Sequence, residues 1–181
     1  MCLCEGQQGS SIDPIFINCL IRSLKPKWVR PSGNNIVRID PRGNRKGVIE
    51  RVPAELRACQ ATGGNTTLMV WADCDDDCPD SEALKALFWE EAQRRGIRRE
   101  DFDRIVFIFP KDRLENWIEY LRDGKTNESE EGPRVSNREA ADAARKLAKQ
   151  CRERKPIDDL PPSLKWSCEN WRALSDRMKS S

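Results

Sequence analysis

An unbroken apolar segment that ends in a cluster of carboxylates is the feature that most constrains the fold of this chain. Residues 67–72 read Thr-Leu-Met-Val-Trp-Ala, and Asp73, Asp75, Asp76 and Asp77 follow directly. A continuous apolar run followed by a polar loop is typical of a buried parallel strand. Ligands of open α/β sheets bind at this carboxyl end of the strands. Carboxylates this close repel one another unless a cation lies among them or water solvates the loop. The segment therefore predicts either a metal site or an acidic turn.

The composition excludes several kinds of chemistry. The chain has no histidine, which rules out Ser-His-Asp and Cys-His catalysis and metal sites with histidine ligands. Its net charge is only +2, although 32 residues are Lys or Arg, so a nucleic-acid contact would need a local basic patch. No apolar run reaches the ~20 residues of a membrane span, and the N-terminus has no secretory signal. We therefore expect a cytoplasmic protein with no membrane contact, whose eight cysteines are reduced.

Strands and helices alternate along the first two thirds of the chain. Strands are predicted at 2–4, 36–40, 67–72 and 104–109, and each is followed by a helical pattern. Asp13 is the expected N-cap of the first helix. Pro53 is expected to confine the second helix to a start near Ile49. This alternation implies right-handed crossovers and a parallel sheet. The sequence thus predicts an α/β, Rossmann-like fold: a four-stranded parallel sheet with helices on both faces.

The last third of the chain has a different organisation. Residues 124–136 are rich in Glu, Ser and Gly, which is typical of a flexible, solvated linker. Two further helical patterns follow, separated by a proline-rich stretch. We therefore predict a catalytic domain over 1–123, a linker over 124–136, and a C-terminal two-helix extension over 137–181.

Two acidic features occupy matching positions on predicted strands. Glu5 follows the first strand, and Asp73 and Asp75 follow the third. If the sheet order is 2-1-3-4, these strands are neighbours and the chain leaves them in opposite directions, which opens a crevice. Glu5, Asp73 and Asp75 would then converge on a site for a hard cation. Ligation by carboxylates alone suits Mg²⁺ or Mn²⁺, and Asp77 is a candidate outer ligand.

This combination, strand–Glu-Gly and then strand–Asp-x-Asp two units later, resembles the TOPRIM domain over roughly residues 1–121. Here it reads Cys-Leu-Cys-Glu-Gly at 2–6 and Val-Trp-Ala-Asp-Cys-Asp at 70–75. Within that superfamily, the small nucleases of the overcoming-lysogenization-defect (OLD) type are most similar. They often carry an acidic residue in the helix after strand 4, a position that Glu115 matches as a ligand of a second metal. They also tend to carry an acid one turn after the first Glu. Gly9 stands at that position, and Asp13 is the only nearby substitute.

The resemblance implies metal-assisted hydrolysis of phosphodiester bonds in DNA or RNA, with DNA expected ahead of RNA. One or two Mg²⁺ or Mn²⁺ ions, the first held by Glu5, Asp73 and Asp75, would polarise the scissile phosphate and lower the pKa of a bound water. Lys111, at the end of strand 4, would neutralise developing charge; its alternative is an ordinary surface lysine. Similar small proteins work with a separate ATPase partner in prokaryotic defence against phage, so such a partner is expected here.

A glycine-rich basic loop follows the second strand on the same rim. It contains Arg42, Arg45 and Lys46 together with Gly43 and Gly47, and a helix is predicted after it. Glycines let a backbone approach a phosphate, and a helix N-terminus attracts it. The loop lacks the Gly-Lys-Ser/Thr ending of a Walker A motif. It is therefore either a nucleic-acid contact or a solvated basic turn.

Three other interpretations of the chain remain open. The fold could be retained in a catalytically inactive binding or structural subunit. Alternatively, a phosphatase-like module would use Asp73 as nucleophile and Asp75 as acid, which leaves Glu5 without a role. Finally, four cysteines at 2, 4, 74 and 78 could approach one another, but their spacing does not match common zinc sites. Small buried side chains are the better interpretation of these cysteines.

Overall fold

A computed structural model describes residues 1–7, 11–24, 38–62 and 66–179 of the chain. Strands and helices alternate in these ranges as predicted, with one short extra helix, α4, before the last strand. None of the described helices combines the length and the apolar character that a membrane span requires. In chain order the elements are β1 (Cys2–Cys4), α1 (Ile12–Leu24), β2 (Ile39–Pro41), α2 (Arg45–Thr62), β3 (Met69–Trp71), α3 (Ser81–Arg94), α4 (Arg99–Phe102), β4 (Val106–Ile108), α5 (Leu114–Asp123), α6 (Asn137–Arg152) and α7 (Pro162–Lys179).

The four strands form one parallel sheet with the order β2-β1-β3-β4. Cys2 of β1 lies opposite Ile39 of β2 on one side and Met69 of β3 on the other. Met69 in turn lies opposite Val106 of β4. These pairings confirm the predicted parallel sheet and the adjacency of β1 and β3. Residues 36 and 37, which were predicted to begin the second strand, lie outside the described residues. Because the chain leaves β1 toward β2 and β3 toward β4, the carboxyl ends of β1 and β3 form the switch point of the sheet.

Alternate residues of the strands build one hydrophobic core on each face of the sheet. The first core contains Cys2, Cys4 and Trp71, and side chains of α1, α5, α6 and α7 complete it. The second contains Leu3 and Val70, and side chains of α2, α3 and α4 complete it. Helices therefore cover both faces, as predicted. The two C-terminal helices pack mainly in the first of these cores, and Trp166 of α7 also contacts the second.

Helix α7 covers the open edge of the sheet along β4. Ser167 Oγ accepts the backbone N–H of Phe109 at 3.0 Å, and Asn170 Nδ2 donates to the carbonyl of Phe107 at 3.2 Å. Trp166 stacks on Phe109, with ring centroids 5.3 Å apart. An edge strand carries unpaired N–H and C=O groups, and α7 supplies partners for two groups at this edge.

The segment 124–136, predicted as a flexible linker, lies against α5 and the start of α7. Gly132 approaches α5 so closely that an added Cβ would lie 2.6 Å from Asn116 Oδ1. The backbone N–H of Ser163 donates to Glu128 Oε2 at 3.2 Å. These contacts connect the segment to both the sheet domain and the C-terminal helices.

Two helix starts differ from the sequence-based prediction. Helix α2 begins at Arg45, so Pro53 lies in its interior and the predicted start near Ile49 is wrong. Pro53 removes one backbone hydrogen bond of the helix. Burial of Val52 and its neighbours in the second core offsets the free-energy cost of that loss. Helix α1 begins at Ile12, so Asp13 lies in its first turn and is not the N-cap.

Candidate functional site

Glu5 and Asp73 meet at the switch point of the sheet. Glu5 directly follows β1, and Asp73 lies two residues after β3. Glu5 Oε1 accepts the backbone N–H of Asp73 at 2.8 Å. The structure therefore brings together the two acidic features of the sequence, because β1 and β3 are neighbours in a parallel sheet.

Gly6 shapes the turn that presents Glu5. Its φ is +84°, and an added Cβ would lie 2.5 Å from the side chain of Ser11. Only glycine adopts such a backbone conformation at low cost, and here it also removes a clash. Gly6 and Gly43 exchange two backbone hydrogen bonds of 3.0 and 3.1 Å. The basic loop after β2 is thus joined directly to the Glu-Gly turn.

Asp13 and Glu115 add two more acidic side chains to this region. Burial raises the pKa of Glu5 to about 7 against the effect of the Asp73 N–H, and the charges of Asp75 and Asp13 raise it further. Burial raises the pKa of Asp13 to about 6, and Glu115 adds to the rise. Burial also raises the pKa of Asp73 well above its ordinary range, with Asp13 and Glu5 as the next causes. These carboxyl groups repel one another, and either a proton or a cation relieves the repulsion.

Arg45 lies between two carboxylates of the acidic loop. Its Nη1 is 3.3 Å from Asp75 Oδ2, and its Nη2 is 2.5 Å from Asp77 Oδ2. The hydrogen bond from Arg45 lowers the pKa of Asp77. Burial raises the pKa of Asp75, although Arg45 opposes that rise. Arg45 was predicted to contact phosphate. In the structure it instead pairs with Asp75 and Asp77, which are both candidate metal ligands.

The other two basic residues of this loop differ in their surroundings. Arg42 forms an ion pair with Asp40. The Lys46 side chain is 83% exposed, and its Nζ is 3.9 Å from Glu50 Oε1. Their contact with nucleic acid stays a prediction, and Lys46 is the more accessible of the two.

Lys111 holds the acidic loop from the neighbouring strand end. Its Nζ donates to the carbonyl of Cys78 at 2.7 Å and to that of Asp75 at 3.4 Å. Lys111 also forms a parallel bridge with Cys74, which extends the pairing of β3 and β4. The next residue, Asp112, has a left-handed φ of +59° and a buried Oδ2 with no hydrogen-bond partner among the described residues. Lys111 therefore fixes the backbone of the loop, and Asp112 adds a further charge that raises the pKa of Asp75.

The chemistry of these side chains fits a hard divalent cation. Carboxylate oxygens are the ligands that Mg²⁺ and Mn²⁺ prefer. Burial is the main cause of the raised pKa values of Glu5, Asp13 and Asp73, and neighbouring carboxylates add negative charge that a cation would neutralise. Among the residues described, however, no three Asp, Glu or Cys side chains are already grouped as ligands of one ion. Glu5 is bonded to the Asp73 N–H, and Asp75 is paired with Arg45. These carboxylates have the atom type and the charge that a divalent cation requires. To bind it, Glu5 and Asp75 would have to exchange their present protein partners for the ion.

The cysteines at 2, 4, 74 and 78 do not form a common site. Cys2 and Cys4 lie in the first core, whereas Cys74 and Cys78 lie in the second core, on the opposite face of the sheet. All four are buried as free thiols. The interpretation as small buried side chains is therefore the correct one.

The chain matches no protein-family model, no curated protein sequence and no solved structure. The chemistry of the site therefore has to be inferred from its own residues.

Proposed function

We propose that this chain is a metal-dependent nuclease of the TOPRIM type, with Mg²⁺ or Mn²⁺ held by Glu5, Asp73 and Asp75. One observation carries this proposal: Glu5 reaches the Asp73 backbone across the switch point of a parallel sheet. Ligands of such sheets bind in this crevice. Asp13 and Glu115 both raise the pKa of Asp73 through their negative charge, and Glu115 also raises that of Asp13. This additional negative charge supports a second ion beside the first.

In the proposed hydrolysis of phosphodiester bonds, different residues bind the metal, hold the acidic loop and contact the nucleic acid. A divalent ion held by Glu5, Asp73 and Asp75 would supply a Lewis acid for the scissile phosphate and would lower the pKa of a bound water. Glu5 and Asp73 position the ligand oxygens because they lie on the ends of two rigid strands. Lys111 keeps the acidic loop in place through two backbone carbonyls. Lys46, exposed at the start of α2, supplies positive charge for the nucleic-acid backbone on the same rim.

A groove of about 760 Å³ lies beside Lys111, and Lys125 and Trp166 also line it. Four acidic residues of its lining, Asp80, Glu82, Glu128 and Asp159, outnumber these two lysines. The groove therefore offers no positive patch for a phosphate backbone, and Lys46 remains the residue that we assign to this contact. The resemblance to small OLD-type nucleases extends the proposal to DNA as substrate and to a separate ATPase partner in defence against phage.

A cleavage assay with matched acidic variants tests the proposal. Plasmid DNA and an RNA of similar length would be incubated with Mn²⁺, with Mg²⁺ and with a chelator. We expect cleavage only with metal, and we expect Glu5→Gln and Asp73→Asn to lower it by more than about 100-fold, a loss that partners of metal ligands already reach. Asp76→Asn changes an exposed carboxylate of the same loop and is the control. Equal cleavage by the wild type and both site variants would rule the proposal out.

The second candidate is a catalytically inactive subunit of the same fold. The Arg45 guanidinium favours it, because it already neutralises Asp75 and Asp77. Titration with Mn²⁺ separates the two candidates. A nuclease must bind the ion through Glu5 and Asp73, whereas an inactive subunit would bind nucleic acid without it.

A further inference from the structure

Two cysteines on the last two helices lie away from the acidic cluster. Cys151 is in the final turn of α6, and Cys168 is in the second turn of α7. Both line the same surface cavity, and both also line a small cavity of only about 30 Å³. Cys168 is only 8% exposed, whereas Cys151 is half-buried. Two thiols that line one cavity, with one of them accessible, suit a reaction in which a thiolate and a resolving thiol act in sequence.

The surroundings of Cys151 favour its thiolate. A hydrogen bond from the Cys168 thiol is the largest cause that lowers the pKa of Cys151; burial opposes this effect, and the positive charge of Arg172 adds to it. The same hydrogen bond raises the pKa of Cys168. Reactive cysteines occur in such partly exposed, electropositive surroundings, and it is the thiolate that reacts. Because Cys151 is the more exposed thiol and Cys168 is buried, we assign Cys151 as the attacking group and Cys168 as the resolving one.

The cavity in front of Cys151 is large enough for an organic ligand. Its volume is about 640 Å³, within the range of small-molecule sites. Leu147 and Trp171 contribute apolar surface, and three cations, Arg154, Lys155 and Arg172, outnumber the two carboxylates of the lining. A ligand with both an apolar part and carboxylate groups suits this lining.

We propose that Cys151 and Cys168 form a thiol–disulfide exchange site for a low-molecular-weight disulfide that carries carboxylate groups. The Cys151 thiolate attacks one sulfur of the ligand disulfide, the ligand S–S bond breaks, and one ligand thiolate leaves. The Cys168 sulfur then attacks Cys151 Sγ and displaces the second ligand thiolate, which takes up the Cys168 proton. The two electrons of the new Cys151–Cys168 disulfide pass to the ligand, which is released as two thiols. The oxidised form links α6 to α7.

Cys74 and Cys78 provide a control within the same molecule. The Cys74 Sγ donates to the Cys78 carbonyl at 3.4 Å, so these residues are also in contact. Their exposed fractions are only 1% and 2%, and burial raises the pKa of both thiols. Proximity alone would make both pairs reactive, whereas exposure and charge select Cys151 and Cys168.

The test uses the whole protein in mixtures of oxidised and reduced glutathione, followed by acid quenching, alkylation and peptide mass spectrometry. As the oxidised fraction increases, we expect a linked Cys151–Cys168 peptide and the loss of these two thiols from the free pool. Cys168→Ser should instead accumulate a glutathionyl group on Cys151, and Cys151→Ser should give neither product. Failure to form the linked peptide in the wild type, or oxidation of Cys74 and Cys78 first, would overturn the proposal.

A second arm tests the class of ligand. Oxidised glutathione carries carboxylates, whereas hydroxyethyl disulfide is neutral. We expect Cys151 to react severalfold faster with oxidised glutathione, and we expect Lys155→Gln to reduce that preference because it removes a cation from the lining. Equal rates with the two disulfides would overturn the assignment of a carboxylate-bearing ligand. Neither arm depends on the nuclease proposal, because the acidic cluster contributes no residue to this cavity.

Discussion

The Glu5 carboxylate accepts the backbone N–H of Asp73 at 2.8 Å, which joins the ends of two neighbouring strands across 68 residues of sequence. This hydrogen bond holds the Glu5 carboxyl group at a position where burial and neighbouring carboxylates disfavour its ionised form. Burial raises the pKa of Glu5 from 4.5 to about 7, and the Asp73 N–H offsets only part of that effect. The folded protein therefore holds a proton at Glu5 in a pH range where the unfolded chain has released it.

We expect the free energy of unfolding of the metal-free protein to decrease as the pH rises from about 4.5 to about 7. In this window the folded state binds more protons than the unfolded state, so stability falls with increasing pH. The Glu5 contribution is roughly 3 kcal/mol, and Asp13, whose pKa is raised to about 6, acts in the same direction. Urea unfolding at several pH values in the presence of a chelator measures the slope.

The matched variant for this prediction is Glu5→Gln. It keeps an acceptor for the Asp73 N–H and removes the titrating group. The slope should become smaller, and the metal-free variant should be more stable than the wild type at pH 7. A slope identical to that of the wild type would show that Glu5 is not the titrating group.

Asp13→Asn should weaken Mn²⁺ binding by about tenfold or more. Asp13 contributes negative charge to the surroundings of both Glu5 and Asp73, and the amide removes that charge without a large change in volume. Isothermal titration calorimetry at pH 7.5 gives the affinity. Asp142→Asn, on the exposed face of α6, changes the same type of residue far from the site. If both variants bind Mn²⁺ equally well, Asp13 has no part in the metal site.

Replacement of Arg45 by Ala should increase the affinity for Mn²⁺. The guanidinium competes with any metal for Asp75 and Asp77, because it is already paired with both. Lys46→Ala removes the adjacent cation, whose side chain is 83% exposed, and should leave Mn²⁺ binding close to that of the wild type. The two variants are compared by the same calorimetric titration. An unchanged or lower affinity in Arg45→Ala would contradict competition between the guanidinium and the ion.

Asn170→Ala should destabilise the fold by about 1–3 kcal/mol, because it leaves the buried carbonyl of Phe107 without the side-chain donor that now reaches it. Ser167→Ala should have a similar cost, since Ser167 Oγ accepts the buried N–H of Phe109. Glu169→Ala changes an exposed residue of the same helix and should shift the urea midpoint little. If all three variants unfold at the same urea concentration, α7 does not protect the edge of the sheet.

The order of elements and the sheet could be predicted because they follow from local patterns. The apolar run before Asp73 and the Glu-Gly pair after the first strand both report on strand ends. Once alternation with helices makes the sheet parallel, strand ends must lie at one edge. Glu5 and Asp73 then lie close together if β1 and β3 are neighbours in the sheet, and the structure confirms this strand order.

The roles of Asp13 and Arg45 depend on contacts that no local pattern contains. With Asp13 as N-cap the helix would begin at residue 14, whereas α1 begins at Ile12; sequence signals resolve a difference of two residues poorly. Arg45 reaches Asp77 from 32 positions away, so a loop that looks like a free basic turn instead supplies a counter-ion. The signal for Asp13 is an acidic residue close to the predicted switch point, which is why the sequence already offers it as the substitute at the position of Gly9.

Helix α7 also has a consequence for the order in which the protein is made. Ser167 follows Phe109 by 58 residues, and ribosomes add about 5–20 residues per second. For roughly 3 to 12 s after β4 has emerged, the backbone groups that α7 later bonds therefore lack these partners. During that interval the nascent chain presents an open strand edge to other chains, and its protection in the cell depends on how quickly synthesis reaches the last helix.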